Sequence, residues 1–206
     1  MNLALMVTVF SLVVGLAVAG AQQPGSASAA TKKHNAELLQ QLPFADKQDF
    51  EDAKRGFIAP LPDGGVIRNQ EGRAVWDLGG FAFIQEGTAA PESVNPSLWR
   101  QSQLLMAAGL FQVTDRVYQV RGADASNINF IEGDTGIIVV DPLISAETAR
   151  AALNLYYQHR PQKPVVAVIY SHSHVDHYGG VKGVVSEDDV KAGKVKIIAP
   201  EGFLKA

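Results

Sequence analysis

Apolar side chains in the second half of the chain come in short runs separated by turn residues. Phe111–Thr114 and Val117–Arg121 read as two strands joined by an Asp115-Arg116 turn. Asn127–Glu132 reads as a third, closed by Gly133-Asp134-Thr135-Gly136. Ile137–Val140 is a run of β-branched apolar residues ending at Asp141-Pro142. Such a run predicts a strand buried on both faces. Ser145 then has the chemistry of a helix N-cap, with Thr148 where a capping box would place its third residue. Ala146–His159 carries Ala and Leu at helical spacing, and Arg160-Pro161 stops it. His159, at the end of that helix, reads as a residue facing the helix dipole. Val165–Tyr170 is a second strand expected to be buried, and Lys194–Ala199 a last one. Strand, helix, strand in this order is a crossover unit. Functional groups in such sheets collect beyond the carboxyl ends of the strands.

The first half is less regular. Asn35–Leu42 and Asp46–Arg55 have helical character, the second with Phe50 and Ala53 on one side. Ala59–Gly65 has loop chemistry, and Gly79–Pro96 reads as irregular. Ser97–Ala108 predicts a short helix with Ser97 as N-cap and Gly109 as terminator. Gly25–Thr31 is small and polar and predicts a flexible linker. Leu3–Ala19 is apolar or small, with small residues at Ala17, Ala19 and Ala21. This is the pattern of a secretory signal cleaved after Ala19 or Ala21, and it predicts a periplasmic or secreted protein. The rival is an uncleaved anchor. The stretch is at the short end of a membrane span and lacks an immediate basic flank, which favours the signal and predicts no stable membrane insertion after cleavage.

Composition narrows the chemistry. The 206 residues are 47% apolar and 19% charged with a formal net charge of -3, a globular profile without the basic footprint of a nucleic-acid partner. There is no cysteine, so disulfides and thiolate ligands are excluded and any metal must sit on His and carboxylate.

The text at the end of the second buried strand is Ser171-His172-Ser173-His174-Val175-Asp176-His177-Tyr178-Gly179-Gly180, holding three of the five histidines. Imidazole nitrogen and carboxylate oxygen suit zinc and other divalent first-row metals. An extended backbone would point His172 and His174 to one side and continue with Asp176, and the chain would bend at His177. Surface histidines in a polar loop are the bland alternative. Three histidines and an Asp directly after an apolar strand favour metal binding.

This His-x-His-x-Asp-His run resembles the signature of the metallo-β-lactamase superfamily at every fixed position. The resemblance implies an α/β fold, the αββα sandwich. His172 and His174 would belong to one metal site, Asp176 and His177 to a second. Asp141 matches a position that supports the metal region from behind; the alternative for it is a turn or helix-entry Asp before Pro142. From about Leu42 onward, phrases such as DFEDAKRGFIAP, GLFQVTDRVYQVRG and IIVVDPLISAETA resemble the alkylsulfatase branch, secreted enzymes that hydrolyse sulfate esters of long-chain alcohols. That implies two zinc ions, a small-molecule alkyl sulfate substrate, and Asp176 orienting a metal-activated water as well as ligating. β-Lactam, thioester and lactone hydrolases share the metal run and are the nearest rivals. A non-catalytic metal-binding module is the rival from another class.

A catalytic zinc normally takes three protein ligands plus water, and this run offers two for each ion. His34 and His159 are poorly placed to complete them. Members of the branch are longer, with a helical dimerisation domain and a lipid-carrier-like domain. The expectation is therefore an N-terminal fragment of a homodimeric protein, inactive alone. Its segments would be a signal at 1–21, a linker and leader helix at 22–41, and a helical and irregular segment at 42–108 packing on the core. The first half of the hydrolase domain would follow at 109–206.

Overall fold

A computed structural model describes residues 26–205. The expected signal falls in residues 1–25 and lies outside the described residues. No helix among the described residues is long and apolar enough to cross a membrane.

Three helices lead the fold. In α1, Ala29–Gln41, Ser28 caps the N-terminus by accepting from the Thr31 amide, so the expected linker gives way to helix at Ala29. The second helix, α2, is Gln48–Lys54. The third, α3, is Pro96–Leu105, and its cap is Asn95 rather than Ser97: Asn95 accepts from the Ser97 amide and Pro96 occupies the first turn, where a missing N–H costs nothing. Arg100 on α3 bonds Asp49 on α2 and the Phe44 carbonyl, clamping the leader together.

Three short strands appear in the segment expected to be helical and irregular. β1, Phe57–Ala59, pairs antiparallel with β4, Gly109–Thr114. β2, Val66–Arg68, and β3, Ala74–Asp77, form a separate hairpin. Their three or four residues are too few for a readable alternation, and tertiary pairing supplies what local pattern lacks. The leader is thereby knitted into the sheet at its β1 edge.

The main sheet runs β1-β4-β5-β6-β7-β8-β9, with β5 Val117–Arg121, β6 Ile128–Glu132, β7 Ile137–Val140, β8 Val165–Ile169 and β9 Lys196–Ile198. Pairing is antiparallel from β1 through β7 and parallel from β7 to β9. Helix α4, Ala146–His159, is the crossover between β7 and β8, opened by a capping box between Ser145 and Thr148.

Alternation sorts the side chains into two faces. Tyr118, Phe130, Val139 and Val168 lie in register across four strands on the face that meets α4. There Tyr156 stacks on Phe130 at 4.6 Å and meets Tyr118 edge-on at 5.7 Å. On the other face, Phe111 lies against Phe57 from β1, while Ile131, Ile138, Val140, Ile169 and Ile198 stay half-buried or exposed. Burial of β7 and β8 on both faces was expected. Among the described residues α4 packs on one face from β5 to β8, while the other face is left half-open over β6 to β9.

At the amino end of β7 the core holds a charge. Glu132 is 8% exposed and accepts from Tyr156 Oη at 2.8 Å and from Arg160 Nε and Nη2 at 2.7 and 3.0 Å. Arg160 in turn lies over the Tyr118 ring at 4.7 Å. The Arg160 guanidinium holds the Glu132 carboxyl below its ordinary range, against the upward push of burial, with Tyr156 adding to the downward shift. A depressed folded-state value means stability that is complete above the unfolded glutamate range and lost as pH falls through the folded value. Glu132→Ala is expected to destabilise by about 3 kcal/mol, because it strands a partly buried guanidinium. It should also flatten the acid limb of stability below about pH 4.3. Urea unfolding midpoints across pH check both.

Candidate metal centre

Strands β5, β7, β8 and β9 all end at one edge of the sheet, and every residue of the candidate site stands there. The Asp141 amide still bonds the Ile169 carbonyl at 3.0 Å, so Asp141 sits level with the end of β8. Its backbone then turns into the left-handed region, φ 56°, a conformation Asp tolerates better than most residues. Leu143 follows at φ 63°, its amide bonding the Asp141 carbonyl at 2.9 Å. This double turn aims the Asp141 carboxylate at the chain leaving β8.

That chain does not stay extended. Past Ser171 it curves, and Val175–His177 closes a single 3-10 turn with His174 at its N-cap. The alternation expected through Asp176 therefore fails: Asp176 lies inside the turn, and the bend comes before His177. Curving brings the rings together, with His172 4.1 Å from His177 and 4.6 Å from His174 between centroids. After the turn the chain passes tightly beneath the β7–α4 connection. The Gly180 amide bonds the Leu143 carbonyl at 2.8 Å, and a Cβ there would stand 2.1 Å from the Pro142 carbonyl oxygen. Only glycine fits that approach. Tyr170, Tyr178 and Phe203 support the run from below, Phe203 lying 5.4 and 5.3 Å from the two tyrosine rings.

Asp141 organises the polar atoms. Its Oδ1 accepts the Ser171 amide at 2.7 Å. Its Oδ2 accepts Ser171 Oγ at 2.6 Å and His177 Nδ1 at 2.9 Å. A carboxylate can only accept, so His177 carries its hydrogen on Nδ1 and presents the Nε2 lone pair, 3.4 Å from Asp176 Oδ2. The Ser171 hydroxyl spends its single hydrogen on Asp141. His172 Nδ1, 2.9 Å from Ser171 Oγ, must then donate to it. His172 thereby also presents Nε2. Two rings are fixed in the tautomer a metal ligand needs, each by a hydrogen bond on its far nitrogen. Asp141 both makes the turn before Pro142 and bonds the two ends of the run, so the structure contains the features of both readings open for it.

The donor set is all nitrogen and oxygen, which suits a divalent ion such as zinc. Among the described residues, however, no group of three or more His, Asp or Glu side chains is gathered closely enough to hold a metal. His159 ends α4 and His34 lies in α1, neither of them in this cluster.

Three contributors escaped sequence reasoning. Ser171 stands first in the run and has no role legible from its neighbours alone. Ser126 Oγ donates to the Asp176 carbonyl and pins the 3-10 turn to the loop after β5. Asp124, buried in the same loop, accepts from the Ala125 and Ile144 amides and from Thr148 Oγ1, fixing the start of α4. The phrase Gly122-Ala123-Asp124-Ala125-Ser126-Asn127 carries small polar residues, but nothing in it points to partners twenty or fifty positions away.

Residues 121–206 match the family model of the metallo-beta-lactamase superfamily. That segment is a metallo-beta-lactamase superfamily domain. Over 202 residues it is 58% identical to a linear primary-alkylsulfatase of Pseudomonas sp., covering 96% of this chain and 30% of that protein. Over 176 residues it is 54% identical to an alkyl/aryl-sulfatase of Saccharomyces cerevisiae, covering 85% of this chain and 27% of the relative. The solved stereoselective inverting sec-alkylsulfatase of Pseudomonas sp. superposes with a TM-score of 0.81 at 57% identity, over 89% of this chain and 28% of that one. The chain thus spans about 30% of the length of the curated relatives it matches. Superfamily membership implies bound metal ions, and the α/β sheet with its crossover helix is the expected fold.

Asp141→Asn keeps the left-handed turn but puts an amide where His177 needs an anionic acceptor. Zinc affinity is expected to fall by about tenfold or more with the fold intact. Calorimetric zinc titration, with circular dichroism as the folding check, measures it.

Proposed function

We propose that this chain supplies part of the metal centre of a sulfuric ester hydrolase, one that releases inorganic sulfate and alcohol from sulfate esters of long-chain alcohols. The observation that carries the reading is the 58% identity to an alkylsulfatase across 96% of the chain, much of it outside the residues matched by the superfamily model. The metal run alone would serve a β-lactam, thioester or lactone hydrolase equally well. The leader is what favours the sulfate ester.

His172 and His174 are assigned to one zinc ion, and Asp176 and His177 to a second. Two bound cations lower the pKa of a water to near neutrality and offset the charge of a sulfate monoester. Asp141 and Ser171 hold the His177 and His172 rings in place beforehand, so little reorganisation is left for binding. Asp176, on a turn pinned by Ser126, is assigned to orienting the attacking water as well as ligation. The catalytic protein is assigned as a homodimer exported to the periplasm or beyond, with the first 21 residues as the cleaved signal. Sequencing the exported N-terminus tests the signal, and a retained Met1 would refute cleavage.

One observation favours a second reading for this chain alone. Since no three candidate ligands converge among the described residues, the 206 residues by themselves correspond to a metal-binding module without turnover. Zinc stoichiometry separates the two: a tight pair of ions with turnover in this chain would remove the second reading. In the full-length protein, Asp176→Asn is expected to lower dodecyl sulfate hydrolysis by about a hundredfold or more. Full rate with full metal content would exclude Asp176 from the mechanism. Faster turnover of a cephalosporin or thioester than of dodecyl sulfate would overturn the sulfatase reading itself.

A further inference from the structure

The loop that pins the metal run has a second attachment. Residues 122–127 connect β5 to β6 at the edge where the site stands, and the leader holds the first of them. The Trp76 indole N–H, delivered by the β2–β3 hairpin, donates to the Gly122 carbonyl at 2.7 Å. Gly122 has φ 76°, and a Cβ on it would stand 2.5 Å from Ala108 Cβ and 3.3 Å from Leu78 Cδ2. A left-handed backbone wedged between two leader side chains leaves room for glycine alone. Asp124 fastens the middle of the loop to the start of α4. Ser126, also buried, closes the loop on the Asp176 carbonyl. Residues 122–126 thus join the leader to the metal run, fastened at both ends and in the middle.

Asp176 is the member of the run that depends on this loop. Ser171 and Asp141 orient the His172 and His177 rings directly. The Asp176 carboxylate stands 3.4 Å from His177 Nε2, and among the described residues no backbone amide or hydroxyl donates to it. Its direction is set through the main chain, by the 3-10 turn and by the Ser126 hydroxyl on its carbonyl. A ligand held in this way moves with whatever grips its backbone.

We propose that Ser126 and, one step behind it, Trp76 of the leader are positioning residues for the second metal site, the one assigned to Asp176 and His177. Trp76 lies outside the residues matched by the superfamily model, so the leader is a working support of the metal centre and not an appendage to it. The inference rests on the two-zinc assignment of the run and adds what holds its Asp in place. It also sets a limit: the ion on His172 and His174 is insensitive to both residues.

Zinc competition against a chelator of known affinity, on the full-length protein, resolves the two ions, and Asp176→Asn identifies the second as the one it weakens. Ser126→Ala should weaken that ion by about tenfold. Trp76→Phe keeps an aromatic ring and loses the N–H. It should weaken the same ion by about threefold, the low end for one hydrogen bond, since Asp124 still holds the loop. The other ion should keep its affinity in both. The two residues act in series, so the double variant should match Ser126→Ala and not multiply the losses. Trp99→Phe is the control. It removes another indole bond of the leader, to the Thr88 carbonyl at 2.9 Å, and should leave both ions unchanged. In the metal-free protein, exchange of the amides of residues 177–180, bonded to the His174, Val175 and Leu143 carbonyls, should accelerate in Ser126→Ala and Trp76→Phe and not in Trp99→Phe.

Equal weakening of both ions, a multiplied loss in the double variant, or a Trp99→Phe effect as large as that of Trp76→Phe overturns the proposal, because the leader then acts through overall stability. If Asp176→Asn weakens one ion while Ser126→Ala or Trp76→Phe is silent, the proposal falls and the two-zinc reading stands. A single ion in the unaltered protein overturns both. If the metal pattern holds and no sulfate ester is turned over, the positioning role stands and the sulfatase reading falls.

Discussion

The candidate site depends on one carboxylate. Asp141 is placed by the end of β7, aimed by a left-handed turn, and bonded to both the start and the end of the histidine run. Removing it would free the Ser171 hydroxyl and the His177 ring together, since both are oriented by the same oxygen. The turn also fixes Pro142 and Leu143, under which Gly180 passes. A buried carboxylate that accepts three hydrogen bonds from otherwise loose polypeptide converts a polar loop into a defined array of nitrogen lone pairs. The cost of the left-handed backbone is small beside that gain.

The opposite end of β7 carries a counterpart with a different purpose. Glu132, Tyr156 and Arg160 satisfy one another at the floor of the α4 face, at the end of β7 away from the metal run. That network fixes the far end of the crossover helix, while Ser145, Thr148 and Asp124 fix its near end. With both ends held, α4 sets the separation and register of β7 and β8. Asp141 and Ser171 are thereby brought within hydrogen-bond reach. The scaffold is rigid where the chemistry needs it, and the half-open second face is left free of that task.

The leader shows how little of a fold can be local. β1, β2 and β3 are too short to announce themselves, yet β1 closes the sheet edge and the β2–β3 hairpin delivers Trp76 to Gly122. Ser97 looked like the better cap for α3 by position before an apolar stretch. Asn95 won because Pro96 suits the first turn and Asn95 reaches the amide two residues on. At the metal run, the alternation of His172 and His174 was visible, but the curvature that folds Asp176 into a 3-10 turn depends on Ser126 and Gly180, whose partners lie far away in sequence.

The sequence by itself determined the elements with strong periods, the crossover around α4, the nitrogen and oxygen character of the site, and the resemblance that places it in its superfamily. These follow from side-chain chemistry and short-range spacing, which the chain carries wherever it folds. Tertiary structure alone decided the hydrogen bonds that orient His172 and His177, the placing of the Asp141 carboxylate between Ser171 and His177, and the bend at Asp176. Each of those is a relation between segments that meet only after the sheet has formed, and a hydrogen bond between distant residues leaves no pattern in the chain that makes it.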